Sequence, residues 1–184
     1  MDAPATPDDD LLAAKAGDEE AFARVYRATQ PGLLRYVRVL AGADAEDVCA
    51  EAWLQACRDL ASFRGNFEGF KGWIARIARN RAIDLARASQ RRPADPVAPA
   101  ELSLVADEVV TPTGEESALV AITTDAALAL IASLPRDQAE AVLLRAVLGL
   151  DAKTAGQVLG KRPGAVRTAA YRGLQTLARR LTEA

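Results

Sequence analysis

The sequence predicts an all-α protein made of two small helical domains joined by a flexible acidic linker. Three observations support this. Ala and Leu dominate while aromatic residues make up only 5% of the 184 residues, a composition typical of helices packed on helices. Apolar residues recur with a helical period in several segments, and prolines and acids interrupt that period near the middle of the chain. We place the first domain at residues 1–92, the linker at 93–115 and the second domain at 116–184.

The first domain begins with two predicted helices. One covers residues 18–40, carries acids in its first turn, and should be bent or interrupted at Pro31. The next is capped by Asp44 or Asp47 and repeats apolar pairs every four residues as far as Leu60.

A loop and a third helix complete the first domain. Residues 62–69 contain two glycines and an asparagine and predict the loop. The helix, at about residues 70–89, is expected to bury Phe70, Trp73, Ile74, Ile77 and Leu85.

The linker separates this domain from a second set of helices. It contains Pro93, Pro96, Pro99 and Pro112 and shows no sustained periodicity. Helices are then predicted at residues 116–134, from Pro135 to Gly149, at 151–159 and at 163–181. The last one is expected to bury Val166, Ala170, Leu174, Leu177 and Leu181.

The formal net charge of −2 conceals a strong segregation along the chain. Residues 64–92 contain eight basic and two acidic residues, and residues 151–184 contain seven basic and two acidic ones. Between them, residues 93–125 contain seven acids and no base. Two basic blocks on either side of an acidic spacer favour a nucleic-acid binder, although basic runs are also common on solvated helix faces.

The second basic block has the dimensions of a helix-turn-helix unit. A short helix, a turn containing Gly160 and a longer Arg-rich helix occupy residues 149–181. The exposed side near the start of the longer helix should carry Arg162, Arg167, Thr168, Tyr171 and Arg172. That is the part which enters the major groove in such units, but a helical hairpin with a solvated basic face would fit the same pattern.

The first basic block combines two chemistries. Beside the apolar face of the third helix, another face carries Arg76, Asn80, Asp84 and Arg87. Amide and carboxylate groups can read base edges, whereas Arg attracts phosphate. The preceding loop interleaves aromatics with a base and glycines, which suits stacking on single-stranded bases. A structural role for Phe63, Phe67 and Phe70 in the core remains an equal alternative.

Some functional classes are disfavoured. The chain has no histidine, which removes the commonest general base and zinc ligand, so we expect neither catalysis nor a metal or other cofactor. No segment is apolar enough to span a bilayer, and we expect a cytoplasmic protein without membrane insertion. Cys49 and Cys57 are expected to be buried packing residues rather than redox sensors.

Several motifs resemble the extracytoplasmic-function (ECF) group of sigma factors in the sigma-70 family. DAEDVCAEAWL at 44–54, FRG at 63–65 and WIARIARNRAID at 73–84 look like region 2 of that group. LP at 134–135, AVLLR at 141–145, LG at 159–160 and GAVR at 164–167 look like region 4. The resemblance covers nearly the whole chain and implies a non-enzymatic protein that binds core RNA polymerase and directs promoter recognition, melting and transcription initiation.

The resemblance also implies roles for individual residues. Region 2 would bind the β′ clamp helices of the polymerase through Asp44, Glu46, Asp47, Glu51, Gln55 and Arg58. It would bind the −10 element through Phe63, Arg64, Asn66, Phe67, Arg76, Arg79, Asn80, Asp84 and Arg87. Region 4 would contact the β flap and bind the −35 element through Lys161, Arg162, Arg167, Thr168, Tyr171 and Arg172. The linker would lie in the polymerase channels as a nucleic-acid mimic, and an anti-sigma factor is an implied partner.

Region 4 departs from the family pattern in several positions. They are Asp151, Thr154, Ala155, Gly156, Arg162, Ala165 and Ala169. An atypical −35 sequence is therefore expected. The alternatives are a helix-turn-helix repressor or activator that acts without being a polymerase subunit, a protein-binding adaptor, and a small helical enzyme, which the lack of a nucleophile paired with a base disfavours.

Overall fold

The computed structural model describes residues 5–91 and 115–183, and within them it confirms the all-α prediction, because every regular element is a helix. The predicted linker lies almost wholly outside the described residues. Among the helices described, none is long and apolar enough to cross a membrane.

Four α-helices form residues 5–91, which we call the first unit. Their bounds are Pro7–Lys15 (α1), Glu19–Ala41 (α2), Ala45–Asp59 (α3) and Phe67–Arg91 (α4), with short 3-10 turns at Gly42–Asp44 and Leu60–Ser62. Helix α1 was not predicted. It is closed by a capping box, in which the Thr6 hydroxyl accepts a hydrogen bond from the Asp9 N–H and the Asp9 carboxylate accepts one from the Thr6 N–H.

Helix α2 confirms the predicted segment, but Pro31 does not interrupt it. The Asp18 carboxylate accepts a hydrogen bond from the Ala21 N–H and caps the first turn. Leu33, Tyr36 and Val37 follow Pro31 and are fully buried, so packing of that face compensates the single backbone hydrogen bond that the proline removes. Asp44 does stand at the cap position of α3, yet its side chain makes no capping bond.

Aromatic rings connect the helices of the first unit. Trp53 packs against Tyr26 with ring centroids 4.7 Å apart and against Phe22 at 5.9 Å. Phe70, which is fully buried, lies 6.0 Å from Trp53 and continues the cluster toward α4. The Trp53 indole donates a 2.7 Å hydrogen bond to the Gln30 side-chain oxygen, so its polar edge is satisfied.

Three details of the first unit differ from the prediction. Helix α4 begins at Phe67 rather than near Phe70, because the Asn66 side chain caps it by accepting a hydrogen bond from the Gly69 N–H. Leu85 is 40% exposed rather than buried. Cys49 is buried as expected, but Cys57 is exposed, because it lies one position beyond the buried stripe that includes Ala56.

This difference predicts unequal reactivity of the two thiols. Burial, followed by the charge of Glu46, raises the pKa of Cys49 to about 12. We expect a disulfide reagent at pH 8 to label one thiol of the native chain quickly and the second only after denaturation, because the thiolate is the reactive form. The Cys57→Ser variant should lose the fast phase. Equal labelling rates for both thiols would contradict the assigned burial.

Residues 115–183 form the second unit. Its helices are Glu115–Ala132 (α5), Arg136–Val142 (α6), Ala152–Leu159 (α7) and Pro163–Glu183 (α8). A π-helical turn, Leu143–Val147, follows α6 and was not predicted. Pro135 stands at the cap of α6 rather than inside its first turn.

The buried stripe of α8 was predicted only in part. Val166 and Ala170 are buried, but Leu174 and Leu181 are 50% and 65% exposed. Gly173 faces inward instead, and a Cβ there would come within 2.7 Å of the Val142 side chain. The close approach of α6 therefore shifts the buried line of α8 by one residue.

The two units contact each other along α2 and α4 of the first unit and along α5, the π-helical turn and α7 of the second. The sequence gave no indication of this contact.

Candidate nucleic-acid interface

The loop between α3 and α4 is short and fixed at both ends. The Phe63 N–H bonds to the carbonyls of Asp59 and Leu60, while the Asp8 carboxylate of α1 accepts a 2.6 Å hydrogen bond from the Phe67 N–H. Gly65 adopts a φ of +151°, and a Cβ at this position would lie 2.9 Å from the Phe63 ring. Glycine is therefore required if the loop is to fold back on Phe63.

Phe63 and Phe67 are half-buried and serve the core and the surface together. The Phe63 ring packs 5.8 Å from Phe70 and 5.1 Å from Trp73, and Phe67 stacks 6.5 Å from Phe70. Arg64 and Asn66, beside them in the loop, are exposed. Each ring thus has one face in the core and leaves part of its surface available for stacking.

Helix α4 presents an exposed polar row beyond this loop. It consists of Arg76, Asn80, Asp84 and Arg87, with a 3.6 Å ion pair between Arg87 and Asp84. The row extends for about 16 Å along the helix at 1.5 Å per residue. Arg79 is not part of it, because its guanidinium turns toward the second unit and pairs with Glu140 at 2.6 Å.

Helices α7 and α8 confirm the predicted helix-turn-helix geometry. The Asp151 carboxylate accepts a 2.6 Å hydrogen bond from the Thr154 N–H at the start of α7, and this bond lowers the pKa of Asp151. Gly160 ends α7 in the left-handed conformation, with a φ of +65°. A Cβ at Gly156 would lie 2.6 Å from the Lys161 carbonyl, so glycine allows the turn to pass close to α7 despite its cost inside a helix.

The predicted recognition face of α8 is largely exposed. It presents Arg162, Arg167, Thr168, Tyr171 and Arg172 to solvent. Lys161 differs from them, because its ammonium pairs with Asp137 at 2.5 Å. This pairing also lowers the pKa of Asp137, first through the hydrogen bond and then through the charge of Lys161.

A third polar surface lies on α3 and the turn before it. Its exposed members are Asp44, Glu46, Asp47, Glu51 and Arg58, with Gln55 half-buried. Glu51 pairs with Arg81 at 3.5 Å, and the Gln55 oxygen lies 3.4 Å from the same guanidinium.

Leu54 belongs to this surface and was missed in the sequence. Its side chain is 63% exposed between Glu51 and Arg58, although it is large and apolar. The available signal was its position just outside the period of the buried stripe. A single apolar side chain within a charged surface is typical of a protein-binding hot spot.

Two family models match the chain in order. The model described as Sigma-70 region 2 matches residues 20–92, and the model described as Sigma-70, region 4 matches residues 124–177. The first match covers α2, α3 and α4, and the second covers most of the second unit.

Curated relatives are similar along most of the chain. The ECF RNA polymerase sigma factor ShbA of Streptomyces griseus is 36% identical over 172 residues, which cover 88% of this chain and 87% of ShbA. The ECF RNA polymerase sigma factor BldN of Streptomyces coelicolor is also 36% identical over 172 residues. In that case the match covers 92% of this chain but only 64% of the relative.

The arrangement of helices is also found in a solved structure. The sigma factor RpoE from Bartonella quintana, in complex with the anti-sigma factor NepR, matches with a TM-score of 0.61 and 19% identity. The match covers 88% of this chain and 96% of that one, and at this identity it establishes the fold alone.

Proposed function

Since the chain belongs to the extracytoplasmic-function group of the sigma-70 family, and so directs core RNA polymerase to promoters, we propose how its two units share that work. The first unit binds the polymerase and captures the melted −10 element, while the second binds the −35 element as duplex. The observation that carries this proposal is the occurrence of both sigma regions, in order, on two separate helical units of one chain. A repressor or activator independent of the polymerase would not need the region 2 unit.

The surface around α3 is the proposed polymerase contact. Its acidic side chains, with Gln55 and Arg58 at the far end, would face the β′ clamp helices, and Leu54 would supply the apolar anchor. Charged rims steer association, whereas a desolvated apolar centre supplies most of the binding free energy.

We expect Leu54→Ala to weaken binding to core polymerase by about 2 kcal/mol, roughly 30-fold, as for an interface hot spot. Folding stability should hardly change, because the side chain is largely exposed in the free chain. Competition binding to core polymerase measures the affinity. Leu12→Ala is the matched control, because Leu12 is 67% exposed on α1. Equal affinities for the two variants would refute a role of Leu54 in this contact.

The loop and the polar row of α4 are the proposed −10 site. A base that leaves the stack could pack on the free parts of Phe63 and Phe67, with Arg64 and Asn66 at the entrance. Asn80 and Asp84 can read base edges, and Arg76 and Arg87 can attract the backbone. Unstacking a base costs a few kcal/mol, which such capture would offset.

The exposed start of α8 is the proposed −35 site. Arg162, Arg167 and Arg172 can pair with guanine or with phosphate, and Thr168 and Tyr171 lie between them. Lys161 would contribute only after leaving Asp137.

We propose that the chain performs no covalent chemistry itself and acts in the cytoplasm, where core polymerase meets the promoter. An anti-sigma factor is the proposed regulator. The structural likeness to a sigma factor solved with its anti-sigma factor is consistent with that partner.

Run-off transcription tests the function. We expect the purified chain to make core polymerase initiate on members of a random promoter library that core alone ignores. Asn80→Ala/Asp84→Ala should reduce the selected transcripts at least tenfold, since each base-reading contact contributes about 1–3 kcal/mol. Asp125→Ala is the control, because it removes one exposed acid from the second unit, as the double variant removes one from α4. Tight binding to duplex DNA without any transcription would instead favour the repressor.

A further inference from the structure

A buried carboxylate of the second unit is held by side chains of the first. Glu140 on α6 is only 3% exposed. Its oxygens lie 2.6 Å from the Arg79 Nε of α4, 2.9 Å from the Arg136 Nε of its own helix and 3.4 Å from the Tyr36 hydroxyl of α2. Two arginines and a tyrosine, two of them from the other unit, therefore satisfy one buried acid.

Further polar contacts continue along the same side of α4. The Glu68 carboxylate accepts a 2.7 Å hydrogen bond from the Asp151 N–H, and the Lys71 ammonium donates a 3.1 Å one to the Leu148 carbonyl. Glu68 and Lys71 also pair with each other at 3.2 Å. The first unit thus holds the beginning of the helix-turn-helix by its backbone.

Glycines let the units approach closely. Gly72 lies against Thr154, and a Cβ built at Gly72 would clash with the methyl group of that threonine. A Cβ at Gly32 would lie 3.3 Å from the Val147 carbonyl. The contact depends on missing side chains on both α2 and α4, so it is matched in shape as well as in charge.

This closed arrangement cannot reach both promoter elements. Elements near −10 and −35 are separated by about 25 base pairs, or about 85 Å of B-form duplex at 3.4 Å per base pair. A compact body of 184 residues has a radius of gyration of about 16 Å and is about 40 Å across. The two units must therefore separate before the chain can bind a promoter in the proposed way.

We propose that the contact between the units is an intramolecular lock, which keeps the free chain in a closed state unable to engage a promoter until core polymerase opens it. The inference rests on the proposed function. In the closed state Glu140 occupies the guanidinium of Arg79, a residue proposed for the −10 site, in the way that a DNA phosphate would.

An engineered disulfide tests whether opening is required. Thr154 Cβ lies 3.8 Å from a Cβ built at Gly72, which suits a disulfide, and Thr154→Cys removes the clashing methyl. Gly72→Cys/Thr154→Cys in a Cys57→Ser background should cross-link within one chain, as intact mass and gel mobility report. We expect the oxidised form to lose at least tenfold in run-off transcription and the reduced form to regain it. Full activity of the oxidised form would overturn the lock.

The Glu140→Gln variant tests whether the lock limits the unmodified chain. Gln has nearly the same shape but leaves Arg79 without its charge partner, and breaking a buried ion pair strongly destabilises the arrangement that holds it. We expect a larger radius of gyration by solution scattering and an apparent Kd for core polymerase that is about tenfold lower, because a larger fraction of the chain is competent to bind. Asp125→Asn should change neither value. An unchanged or higher Kd for Glu140→Gln would overturn the proposal.

Failure of the lock and failure of the proposed function give different results. If the wild-type chain neither binds core polymerase nor supports transcription, the proposed function fails. Scattering and cross-linking of the free chain still judge the closed state, because neither requires polymerase. If transcription proceeds but the free chain scatters as an open, extended molecule, the lock alone is wrong.

Discussion

Replacing Phe70 with Ala is expected to lower the free energy of unfolding of the first unit by about 3–5 kcal/mol, since a large buried ring is lost and a cavity remains. Phe70 has no exposed surface and lies 5.8–6.5 Å from the rings of Trp53, Phe63, Phe67 and Trp73. Urea denaturation followed by circular dichroism measures the change.

Two controls make this result specific. Phe70→Leu keeps most of the buried volume and should cost less than Phe70→Ala. Leu85→Ala removes a side chain that is 40% exposed and should cost well under 2 kcal/mol. If Phe70→Ala were no more destabilising than Leu85→Ala, the aromatic cluster would not be the core of this unit. Because Phe63 and Phe67 rest on Phe70, its loss should also disorganise the proposed −10 loop.

The second large effect is expected on the recognition helix. Arg167→Ala/Arg172→Ala should weaken promoter binding by the polymerase complex by at least 2 kcal/mol, about 30-fold, because each arginine contact contributes about 1–3 kcal/mol. If both arginines contact phosphate, the logarithmic salt dependence of binding should fall by about two, one for each contact. Equilibrium binding to a selected promoter over a range of salt concentrations measures both quantities.

The matched control removes two arginines from the other end of the same helix. Arg179 and Arg180 are exposed near the end of α8, and Arg180 bonds to the Ser133 hydroxyl. Arg179→Ala/Arg180→Ala changes the net charge equally. The same loss of affinity in both double variants would show that general charge, rather than the start of α8, controls promoter binding.

Elements with a strong period could be predicted from the sequence. Helix α2 and the pair α7–α8 were found because apolar residues repeat over long segments and because Asp18, Asp151 and Gly160 mark their ends. Helix α1 was missed because it buries only Leu11 and Ala14, so it has almost no apolar stripe. Its stability comes from the capping box and from packing against α2, which a periodicity argument does not register.

The rest depended on contacts between distant residues. Gly173 replaced Leu174 on the buried face because α6 approaches closely there, and the approach is set by the whole second unit. Arg79 was grouped with the −10 residues because its neighbours face solvent, but Glu140, 61 residues away, holds its guanidinium. Local spacing places a residue on a helix face and cannot identify what covers that face.

The position of the two tryptophans has a practical consequence. Trp53 and Trp73, the only tryptophans of the chain, both lie in the first unit, and the Trp73 ring is 5.1 Å from Phe63 in the proposed −10 loop. A base that enters the loop and moves Phe63 changes the surroundings of one indole, while the other stays buried with its N–H on Gln30. The chain therefore carries a built-in fluorophore whose emission can follow strand capture in real time, with no dye attached and no signal from the second unit.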